Sequence, residues 1–288
     1  MIMEAKFYED INEFYDLAYS FLLEREVENG LQFSILNSLK KNINRYGQEK
    51  PFLYAIYEND NVKLISLRTP PYNQILSYTS ELKAIDSLVD ALNKQRVELP
   101  GVLGFKEGVE KFAILWCKKR GVISQITRNE RIYKLEHVAE VTLGKNKFIK
   151  AVDLYENIVL QWGREFILEA LPDRNSEMVE HSLNRLRDDI YEGRIFLLLD
   201  INKPVSMVRK AGKTPNGIGI NNVYTPPSLR RKGYATECVA KLSKQILEES
   251  NDYCFLFTDL SNPVSNSIYQ KIGYRAVIDV DEIKFIKQ

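Results

Sequence analysis

The chain has few of the residues that metal-dependent and disulfide-bonded proteins rely on. Its 288 residues include only three cysteines and two histidines. The cysteines, Cys117, Cys238 and Cys254, are far apart in sequence and form no C-x-x-C pair. We therefore expect no disulfide framework, no bound metal and a reducing compartment.

An excess of charge of one sign is missing, and so are long hydrophobic runs. The chain has 40 Lys and Arg residues and 39 Asp and Glu residues, so its net charge is +1. No overall positive charge therefore favours the binding of nucleic acid. The longest apolar runs, such as "FAILWC" and "IFLLL", are too short to span a bilayer. The start, "MIMEAKFYED", lacks the basic and apolar regions of a signal peptide. We expect a cytoplasmic protein with no nucleic-acid or membrane partner.

What the chain does have is 44% hydrophobic residues, arranged in alternating helical and strand periods. Before residue 194 the pattern predicts a hairpin around Asn59-Asp60-Asn61 and a strand over 131–141. It also predicts helices over 9–27, 31–41, 81–95, 106–121, 157–171 and 176–193. After residue 194 it predicts strands over 194–201, 205–212 and 217–225, a helix over 234–250, a strand over 254–260 and a helix over 263–273. Two closing strands, 274–280 and 283–287, complete the prediction.

The two parts of the chain share a local pattern. The stretches "FLYAIYENDNVKLISLRTPPYN" and "IFLLLDINKPVSMVRKAGKTPNGI" each read as strand, turn, strand and a basic-Thr-Pro ending. This similarity suggests a tandem repeat. We expect a first domain over 1–126 and a second over 127–288, with no low-complexity linker between them.

A short basic stretch, "TPPSLRRKGYATECVAKL" at 225–242, carries the clearest chemical signal. It places Arg230, Arg231 and Lys232 directly before Gly233 and a helix with an apolar stripe. Cations at a helix N-terminus are disfavoured by the helix dipole, unless an anion binds there. Glycine lets the backbone approach a ligand closely, and free helix amides bind phosphate. The plain alternative is a solvated charge run.

Two common phosphate-binding motifs do not fit this stretch. The P-loop pattern G-x-x-x-x-G-K-[ST] is absent. A dinucleotide fingerprint needs a third glycine, and "GIGINN" has Asn222 there, in a strand that leads to prolines.

The stretch 230–235 instead resembles the acyl-CoA signature [RQ]-x-x-G-x-[GA] of the GNAT acetyltransferases. The later stretch "NPVSNSIYQKIGYRAV" is similar to that family's second CoA-contacting segment, N-x-x-[AS]-x-x-[LI]-Y-x-x-x-G-[FY]. Both motifs occur in the family's order, separated by a helix and a strand. The resemblance covers about 135–288 well, whereas the first part of the chain matches only as a degenerate copy.

The resemblance implies an α/β (α+β) fold: a mixed, mostly antiparallel sheet with a splayed fourth strand, flanked by helices, in tandem. It also implies direct transfer of an acetyl group from acetyl-CoA to a primary amine, a small molecule or a peptide. The pyrophosphate would lie at Arg231–Ala235, the acyl and pantetheine groups at Val223 and Thr225, and Tyr269 would protonate the departing thiolate. The cofactor-binding residues implied in this way are Val223, Tyr224, Thr225, Arg230, Arg231, Lys232, Gly233, Tyr234, Ala235, Thr236, Asn262, Ser265 and Tyr269.

The residue types and their spacing indicate less about the cap, the proton donor and the general base. Asn262-Pro263 reads as a helix N-cap with proline at N1, and Tyr269 follows almost two turns later on the same face. The alternative for Tyr269 is a packing role only. His137 and His181 are the two histidines available as a general base, and the alternative is that neither has a chemical role. Asp279 and Asp281 are expected to be solvated, and the alternative is that they contact a cationic amine. No general base, acceptor or oligomeric state is predicted, and a catalytically silent acyl-CoA-binding module remains the alternative function.

Overall fold

The computed structural model describes residues 3–139, 144–171 and 175–287, which form twelve strands and eight α-helices. The strands are β1 (Glu4–Tyr8), β2 (Phe52–Glu58), β3 (Asn61–Arg68), β4 (Gln74–Leu76), β5 (Gly101–Phe105), β6 (Val122–Leu135), β7 (Lys147–Lys150), β8 (Ile195–Asp200), β9 (Lys203–Lys213), β10 (Gly217–Tyr224), β11 (Tyr253–Asp259) and β12 (Arg275–Lys287). The helices are α1 (Ile11–Leu23), α2 (Gly30–Lys41), α3 (Lys83–Lys94), α4 (Lys106–Arg120), α5 (Glu156–Ala170), α6 (Ser176–Tyr191), α7 (Tyr234–Glu248) and α8 (Pro263–Ile272). Glu140 and Val141, the end of the strand predicted over 131–141, lie outside the described residues.

All of these strands belong to one sheet, in the order β1-β2-β3-β4-β5-β12-β6-β11-β10-β9-β8-β7. Five strands from each edge follow chain order and meet at the long strands β12 and β6. Within each set of five, neighbouring strands are antiparallel, with one exception in each set. β4 and β5 are parallel, and so are β10 and β11. The repeated, mostly antiparallel pattern confirms the predicted fold class and its tandem arrangement.

We call β1–β5 with α1–α4 the N-terminal half, and β7–β11 with α5–α8 the C-terminal half. Each half buries one helix pair on each face of its sheet. In the N-terminal half, α1 and α2 cover one face and α3 and α4 the other; in the C-terminal half, α5 and α6 cover one face and α7 and α8 the other. Successive strand residues therefore enter opposite cores, as Leu53 and Tyr54 do.

The two central strands are shared between the halves. β6 pairs with β12 from Val122 opposite Lys287 to Lys134 opposite Arg275. Only the second part of β6 also pairs with β11, and only the middle of β12 also pairs with β5. Each half therefore completes its sheet with both long strands.

This sharing overturns two sequence predictions. β6 begins at Val122, nine residues before the predicted strand over 131–141, and the two predicted closing strands form one continuous strand. Asp281, between the two predicted strands, is only 1% exposed and accepts a hydrogen bond from Asn129 Nδ2 at 2.7 Å. The adjacent charges of Asp281 and Glu282 predict a turn, but the strand continues, and Asn129 on the neighbouring strand provides a hydrogen bond to one Asp281 oxygen.

The expectation that Asp279 and Asp281 are solvated is wrong for Asp281, which is buried, whereas Asp279 is partly exposed and forms an ion pair with Arg131. Arg131 donates to both carboxylate oxygens of Asp279, at 2.5 and 2.9 Å, and Asp281 is buried. The Arg131 hydrogen bond holds the pKa of Asp279 below its ordinary value. Both aspartates therefore tie β12 to β6.

The predicted division between residues 126 and 127 falls inside β6. Strand pairing with β12 continues on both sides of this point, from Gln125 opposite Lys284 to Arg128 opposite Glu282. The division into two domains stays a prediction.

Helix α2 of the N-terminal half also reaches the C-terminal half. Asn37 Nδ2 donates to the Lys213 carbonyl at 2.8 Å, and a Cβ on Gly30 would lie 2.6 Å from the Phe255 ring. Just before α2, Glu26 accepts from the Asn216 amide at 2.7 Å. The N-terminal half thus covers the face of β9–β11 that α5 and α6 leave open.

Candidate functional site

The basic stretch forms a turn of unusual backbone conformation between β10 and α7. A short 3-10 turn, Pro227–Leu229, leads into Arg231 and Gly233, which take φ of +64° and +82°. Gly233 is the N-cap residue of α7 and, lacking a side chain, makes no side-chain capping bond. A Cβ at Gly233 would meet nothing within 4 Å, so the helix end is open to solvent.

The start of α7 offers free backbone donors. Its first helical hydrogen bond runs from the Glu237 amide to the Gly233 carbonyl at 3.0 Å, so the amides of Tyr234, Ala235 and Thr236 precede it. Arg231 and Lys232 are exposed beside them. Together these groups make an electropositive helix end that suits an anionic ligand.

The acidic residue in the first turn of α7 faces away from this end. Glu237 is buried, ion-pairs with Lys241 at 2.7 Å and accepts from Asn146 Nδ2 at 2.7 Å. Tyr234 likewise faces another partner, because its hydroxyl donates to Asp200 Oδ2 at 2.5 Å. That hydrogen bond raises the pKa of Tyr234.

Arg230, the first cation of the stretch, is engaged within the protein. Its Nη2 donates to Glu169 Oε2 at 2.6 Å, and its Nε donates to the Thr225 carbonyl at 2.9 Å. The hydrogen bond to Glu169 raises the pKa of the guanidinium. Arg230 therefore ties α5 to the end of β10, and Arg231 and Lys232 are the two cations of the stretch that remain directed to solvent.

The sheet opens next to this turn. β10 and β11 pair only from Gly217 opposite Tyr253 to Gly219 opposite Phe255, and beyond that each strand runs on without the other. β10 carries an irregularity between Asn221 and Tyr224, where Asn222 takes φ of +47°. This is the splayed fourth strand that the sequence predicts.

The residues predicted to bind the acyl group lie at this opening. Val223 is half-buried, and Tyr224 and Thr225 are buried. The Thr225 hydroxyl lies 2.9 Å from the Ser206 hydroxyl. Tyr224 donates to Glu165 Oε2 at 2.9 Å, and burial raises the pKa of Tyr224 to about 12. The Tyr224 side chain thus faces α5, so only its backbone remains for a ligand in the opening.

The second predicted motif forms the next helix. Asn262 caps α8 by accepting from the Ser265 amide at 3.1 Å, and Pro263 is the first helical residue. Gly273 ends the helix with φ of +114°. The cap and the proline position agree with the sequence analysis, and the bond to Ser265 occupies one lone pair of the Asn262 amide oxygen.

Tyr269 lies almost two turns along α8. It is 8% exposed, and its ring meets the Tyr274 ring edge-on at 5.9 Å. Burial raises the pKa of Tyr269 to about 12, so the phenol is protonated at neutral pH. The Tyr274 hydroxyl is paired with Ser243 Oγ at 2.8 Å, whereas the Tyr269 hydroxyl has no hydrogen-bond partner among the described residues.

Other candidate chemical groups are not brought to this site. His137 and His181 are both exposed. Cys238 and Cys254 are buried, and burial raises the pKa of each thiol to about 12. Within the three described ranges, no group of three or more His, Cys, Asp or Glu side chains is placed to hold a metal ion.

The equivalent opening in the N-terminal half is closed by polar side chains of its own helices. β4 and β5 pair through Ile75 opposite Leu103, and then separate. Asn29 accepts from the Tyr78 amide at 2.9 Å, and Gln32 Nε2 donates to the Leu76 carbonyl at 2.7 Å. The sequence analysis missed both contacts, because each joins residues more than 40 positions apart and no local motif marks them.

Glu130 on β6 is a poorly exposed carboxylate that the sequence does not single out. It faces the same side of the sheet as Ile132, between Asp259 on β11 and Val280 on β12. Burial raises the pKa of Glu130, Arg128 lowers it, and the negative charges of Glu282 and Asp259 raise it further, with a net increase. The alternation of "RNERI" at 128–132 is the available signal, but the predicted strand begins only at Arg131 and leaves Glu130 outside it.

Comparison with known proteins agrees with this architecture. Residues 202–283 match a family model described as FR47-like protein. The chain is similar to a solved GCN5-related N-acetyltransferase from Sphaerobacter thermophilus, with 12% identity, 100% of this chain and 96% of that chain covered, and a TM-score of 0.61. It is also similar to a tandem GNAT protein from the clavulanic acid biosynthesis pathway, with 12% identity, 98% of each chain covered and a TM-score of 0.57. A Drosophila protein of solved structure gives 13% identity, 99% and 98% coverage and a TM-score of 0.68.

No curated protein sequence matches the chain. In the described residues, no helix is both long enough and apolar enough to cross a membrane. The resemblance predicted from the sequence is confirmed at the level of the fold: the chain has the fold of the GNAT acetyltransferases in tandem.

Proposed function

We propose that the protein is an N-acetyltransferase whose C-terminal half binds acetyl-CoA and transfers its acetyl group to a primary amine. One observation carries this proposal. The opening between β10 and β11 leads, through Thr225 and the turn at Gly233, directly into an open helix N-terminus. An acyl thioester attached to a pyrophosphate needs both features, within one extended ligand.

Each part of the site has a role in this reaction. The amides at the start of α7, with Arg231 and Lys232, bind the pyrophosphate. Backbone groups of Val223 and Thr225 orient the acetyl carbonyl, because the splayed strands leave them without a cross-strand partner on that side. The amine then attacks the carbonyl carbon, and the C–S bond breaks as the intermediate collapses.

Tyr269 supplies the proton that the departing thiolate requires. Its phenol is protonated at neutral pH, and no described side chain competes for its hydroxyl. A positioned acid of this kind typically contributes about 10²–10⁴ in rate.

The N-terminal half binds no acetyl-CoA in this proposal. Counting six residues past the last parallel pair reaches Glu81 in the N-terminal half and Thr225 in the C-terminal half. The Glu81 amide already donates to Thr79 Oγ1 at 2.9 Å, and the Tyr78 amide donates to Asn29, so neither amide is free for an acyl carbonyl. The helix after this strand begins near Leu82 without a basic glycine turn.

Two measurements test the proposal together. Calorimetry with acetyl-CoA is expected to give one site per chain, and a panel of primary amines is expected to yield an acetylated product by mass spectrometry. Binding without any acetylated product across the panel would favour the silent acyl-CoA-binding module. Two sites per chain would contradict the assignment of the N-terminal half, and no binding at all would contradict the proposal.

A further inference from the structure

The proposed acetyl transfer leaves one face of the sheet for the acceptor. The helix whose N-terminus holds the pyrophosphate in that proposal, α7, packs on the face that it shares with α8. The opening between β10 and β11 lets the thioester pass between the two strands. The amine therefore approaches the acetyl carbon from the other face, which carries α5 and α6.

A groove crosses β10 on this face. Asn221 stands opposite Arg209 on β9, and Arg209 Nε lies 2.6 Å from Asp189 on α6, so Asn221 and Arg209 both lie on the α6 side. Asn221 is exposed, although β10 lies between β9 and β11 in the sheet. Two residues earlier, Gly219 pairs with Phe255, which α2 covers. The helix cover therefore has a gap at Asn221, between α2 on one side and α6 on the other.

The carboxylate of Asp189, beside this groove, is already neutralised. Asp189 is buried, and Arg194 Nη2 and Arg209 Nε lie 2.5 and 2.6 Å from its two oxygens. Burial lowers the pKa of Arg209, and the Asp189 charge raises it. The positive charges of Arg194 and Arg185 lower this pKa further, so the net change is a decrease. The guanidinium groups here thus carry more charge than Asp189 offsets.

Two further ion pairs join this cluster, and each is balanced. Arg45, from the N-terminal half, donates to Asp188 Oδ2 at 2.6 Å. Arg194 Nη2 also lies 2.6 Å from Glu192 Oε2. These pairs leave no carboxylate for Arg185, the remaining arginine of the cluster.

Arg185 on α6 is held by neutral groups. Its Nη1 donates to the Tyr72 hydroxyl at 3.2 Å, and its Nη2 donates to Ser182 Oγ at 3.1 Å. Its Cζ lies 5.8 Å from the centroid of the Tyr46 ring. Within the part of the chain that the structure describes, no carboxylate lies within ion-pair distance of Arg185. Its partners therefore fix the guanidinium between the two halves and leave its charge and its other N–H groups for an anion.

Arg185 lies on the side of the cluster that is nearer to the opening. Glu180, earlier in α6, pairs with Arg164 on α5 at 2.6 Å. Arg164 is next to Glu165, which accepts from Tyr224 at the end of β10. The N-terminal end of α6 therefore lies beside the opening, and Arg185 lies between that end and the buried ion pairs.

The length and the polarity of the groove restrict its ligand. Met207, opposite Tyr224, lies two residues from Arg209, or about 7 Å along β9. This distance corresponds to a chain of about five single bonds. The carboxylates of β11 and β6 on this face, Asp259 and Glu130, lie on the other side of the opening. A short ligand with an anion at one end and an ammonium group at the other fits this polarity.

We propose that the acceptor is a short chain with a primary amine at one end and a carboxylate at the other, and that Arg185 binds this carboxylate in the groove beside Asn221. The amine then lies at the opening, where the acetyl group is presented. This inference rests on the proposed acetyl transfer and names the chemical class of its acceptor.

The test compares 5-aminopentanoate with 5-aminopentan-1-ol. Both carry a primary amine on a five-carbon chain, but only the first ends in a carboxylate. We expect kcat/KM for 5-aminopentanoate to exceed that for the alcohol at least about tenfold, because a charge-assisted pair with arginine replaces a neutral contact. Equal values, or no product from either amine with acetyl-CoA bound, would overturn the acceptor class. Failure to bind acetyl-CoA would instead remove the proposed function.

Arg185→Gln tests the residue that binds the carboxylate. We expect kcat/KM for 5-aminopentanoate to fall at least about tenfold, mainly through a higher KM, and the preference over the alcohol to be lost. Arg185→Lys keeps the charge and is expected to retain most of the preference. Arg187→Gln is the matched control, since Arg187 lies on the same helix but pairs with Glu156 at 2.9 Å.

Urea unfolding establishes that each variant is folded before its kinetics are compared. Equal losses for the two amines in Arg185→Gln would make Arg185 only a bridge between the halves. A preference that is unchanged in Arg185→Gln, or lost equally in Arg187→Gln, would remove Arg185 from the acceptor site. Any of these results would overturn the proposal.

Discussion

At the residue scale, the site depends on a backbone conformation that only one residue type adopts easily. Gly233 combines a φ of +82° with open space where a Cβ would project. Crowding within the protein therefore does not explain the glycine. The left-handed conformation of the turn explains it, and in the proposed function this turn presents the helix amides to the pyrophosphate.

Gly233→Val is expected to lower acetyl-CoA affinity at least about tenfold, or about 1.4 kcal/mol. The β-branched side chain strains the left-handed turn by about 1–2 kcal/mol and projects into the space of the pyrophosphate. Lys232→Ala is expected to cost less than about threefold, because exposed charges are screened and shared with Arg231. Calorimetry on the folded variants measures both.

Gly121→Val is the matched control for this experiment. Gly121 also has a positive φ, +64°, with nothing within 4 Å of its Cβ position, but it ends α4 in the N-terminal half. It shares the strain without touching the proposed site. Equal acetyl-CoA affinities for Gly233→Val and Gly121→Val would remove the turn from the binding site.

Tyr269→Phe is expected to lower kcat at least about tenfold and to leave acetyl-CoA affinity nearly unchanged. The change removes only the hydroxyl, so the loss falls on the transition state and not on ground-state binding. Tyr54→Phe is the control, since the Tyr54 hydroxyl is buried without a partner in the N-terminal half. Steady-state kinetics with parallel binding measurements decide the matter. A kcat within about twofold of the parent, with chemistry limiting the rate, would leave Tyr269 as a packing residue.

At the scale of single elements, α2 carries the contrast between the halves. Its polar face closes the opening of the N-terminal half, while the equivalent opening between β10 and β11 has no such closure among the described residues. Asn29 takes part at both ends of its amide, accepting from Tyr78 and donating to the Leu22 carbonyl at 3.2 Å. The same fold thus has one opening closed by its own side chains and one available to a ligand.

Asn29→Ala is expected to reduce the free energy of unfolding by about 1–3 kcal/mol, the cost of one buried unpaired group. The substitution leaves the Tyr78 amide without its acceptor, whereas the Leu22 carbonyl still accepts from the Arg25 amide at 3.3 Å. Asn37→Ala removes a hydrogen bond from the same helix at a solvent-accessible position, and is expected to cost less than about 1 kcal/mol. Urea unfolding measures both losses, and equal losses would contradict this account of Asn29.

Local signals in the sequence predict most elements but not how they are joined. The Asn59-Asp60 turn, with φ of +47° and +64°, and the helix end at Gly121 follow from residue type alone. The N-cap at Asn262 also follows from residue type, because its partner Ser265 is only three residues away. The continuity of β12 does not follow, because Asp279 pairs with Arg131 and Asp281 accepts a hydrogen bond from Asn129, and both partners lie about 150 positions earlier. Pairings at such distances leave no period in a single sequence.

At the scale of the whole molecule, the shared strands make the two halves depend on each other. β12 lies between β5 and β6, and β6 lies between β12 and β11. Val280 on β12 pairs with Phe105 on β5 and with Glu130 on β6, and β6 pairs with β11. Unfolding either half therefore removes hydrogen bonds from a strand that the other half also uses. α2 adds contacts from the N-terminal half to Lys213 and Phe255.

We therefore expect the chain to unfold in one cooperative transition, although chains of this length often populate intermediates. Each half holds one of the chain's two tryptophans, Trp116 in α4 and Trp162 in α5, and both are buried. Trp162→Phe leaves a fluorescence probe in the N-terminal half, and Trp116→Phe leaves one in the C-terminal half. Within each variant, the urea transition followed by fluorescence should coincide with that followed by far-UV circular dichroism, which reports on both halves. Comparing two signals from the same variant cancels the stability change that each substitution causes. If the halves folded independently, the fluorescence transition would separate from the circular dichroism transition in at least one variant, and the shared strands would be only a point of contact.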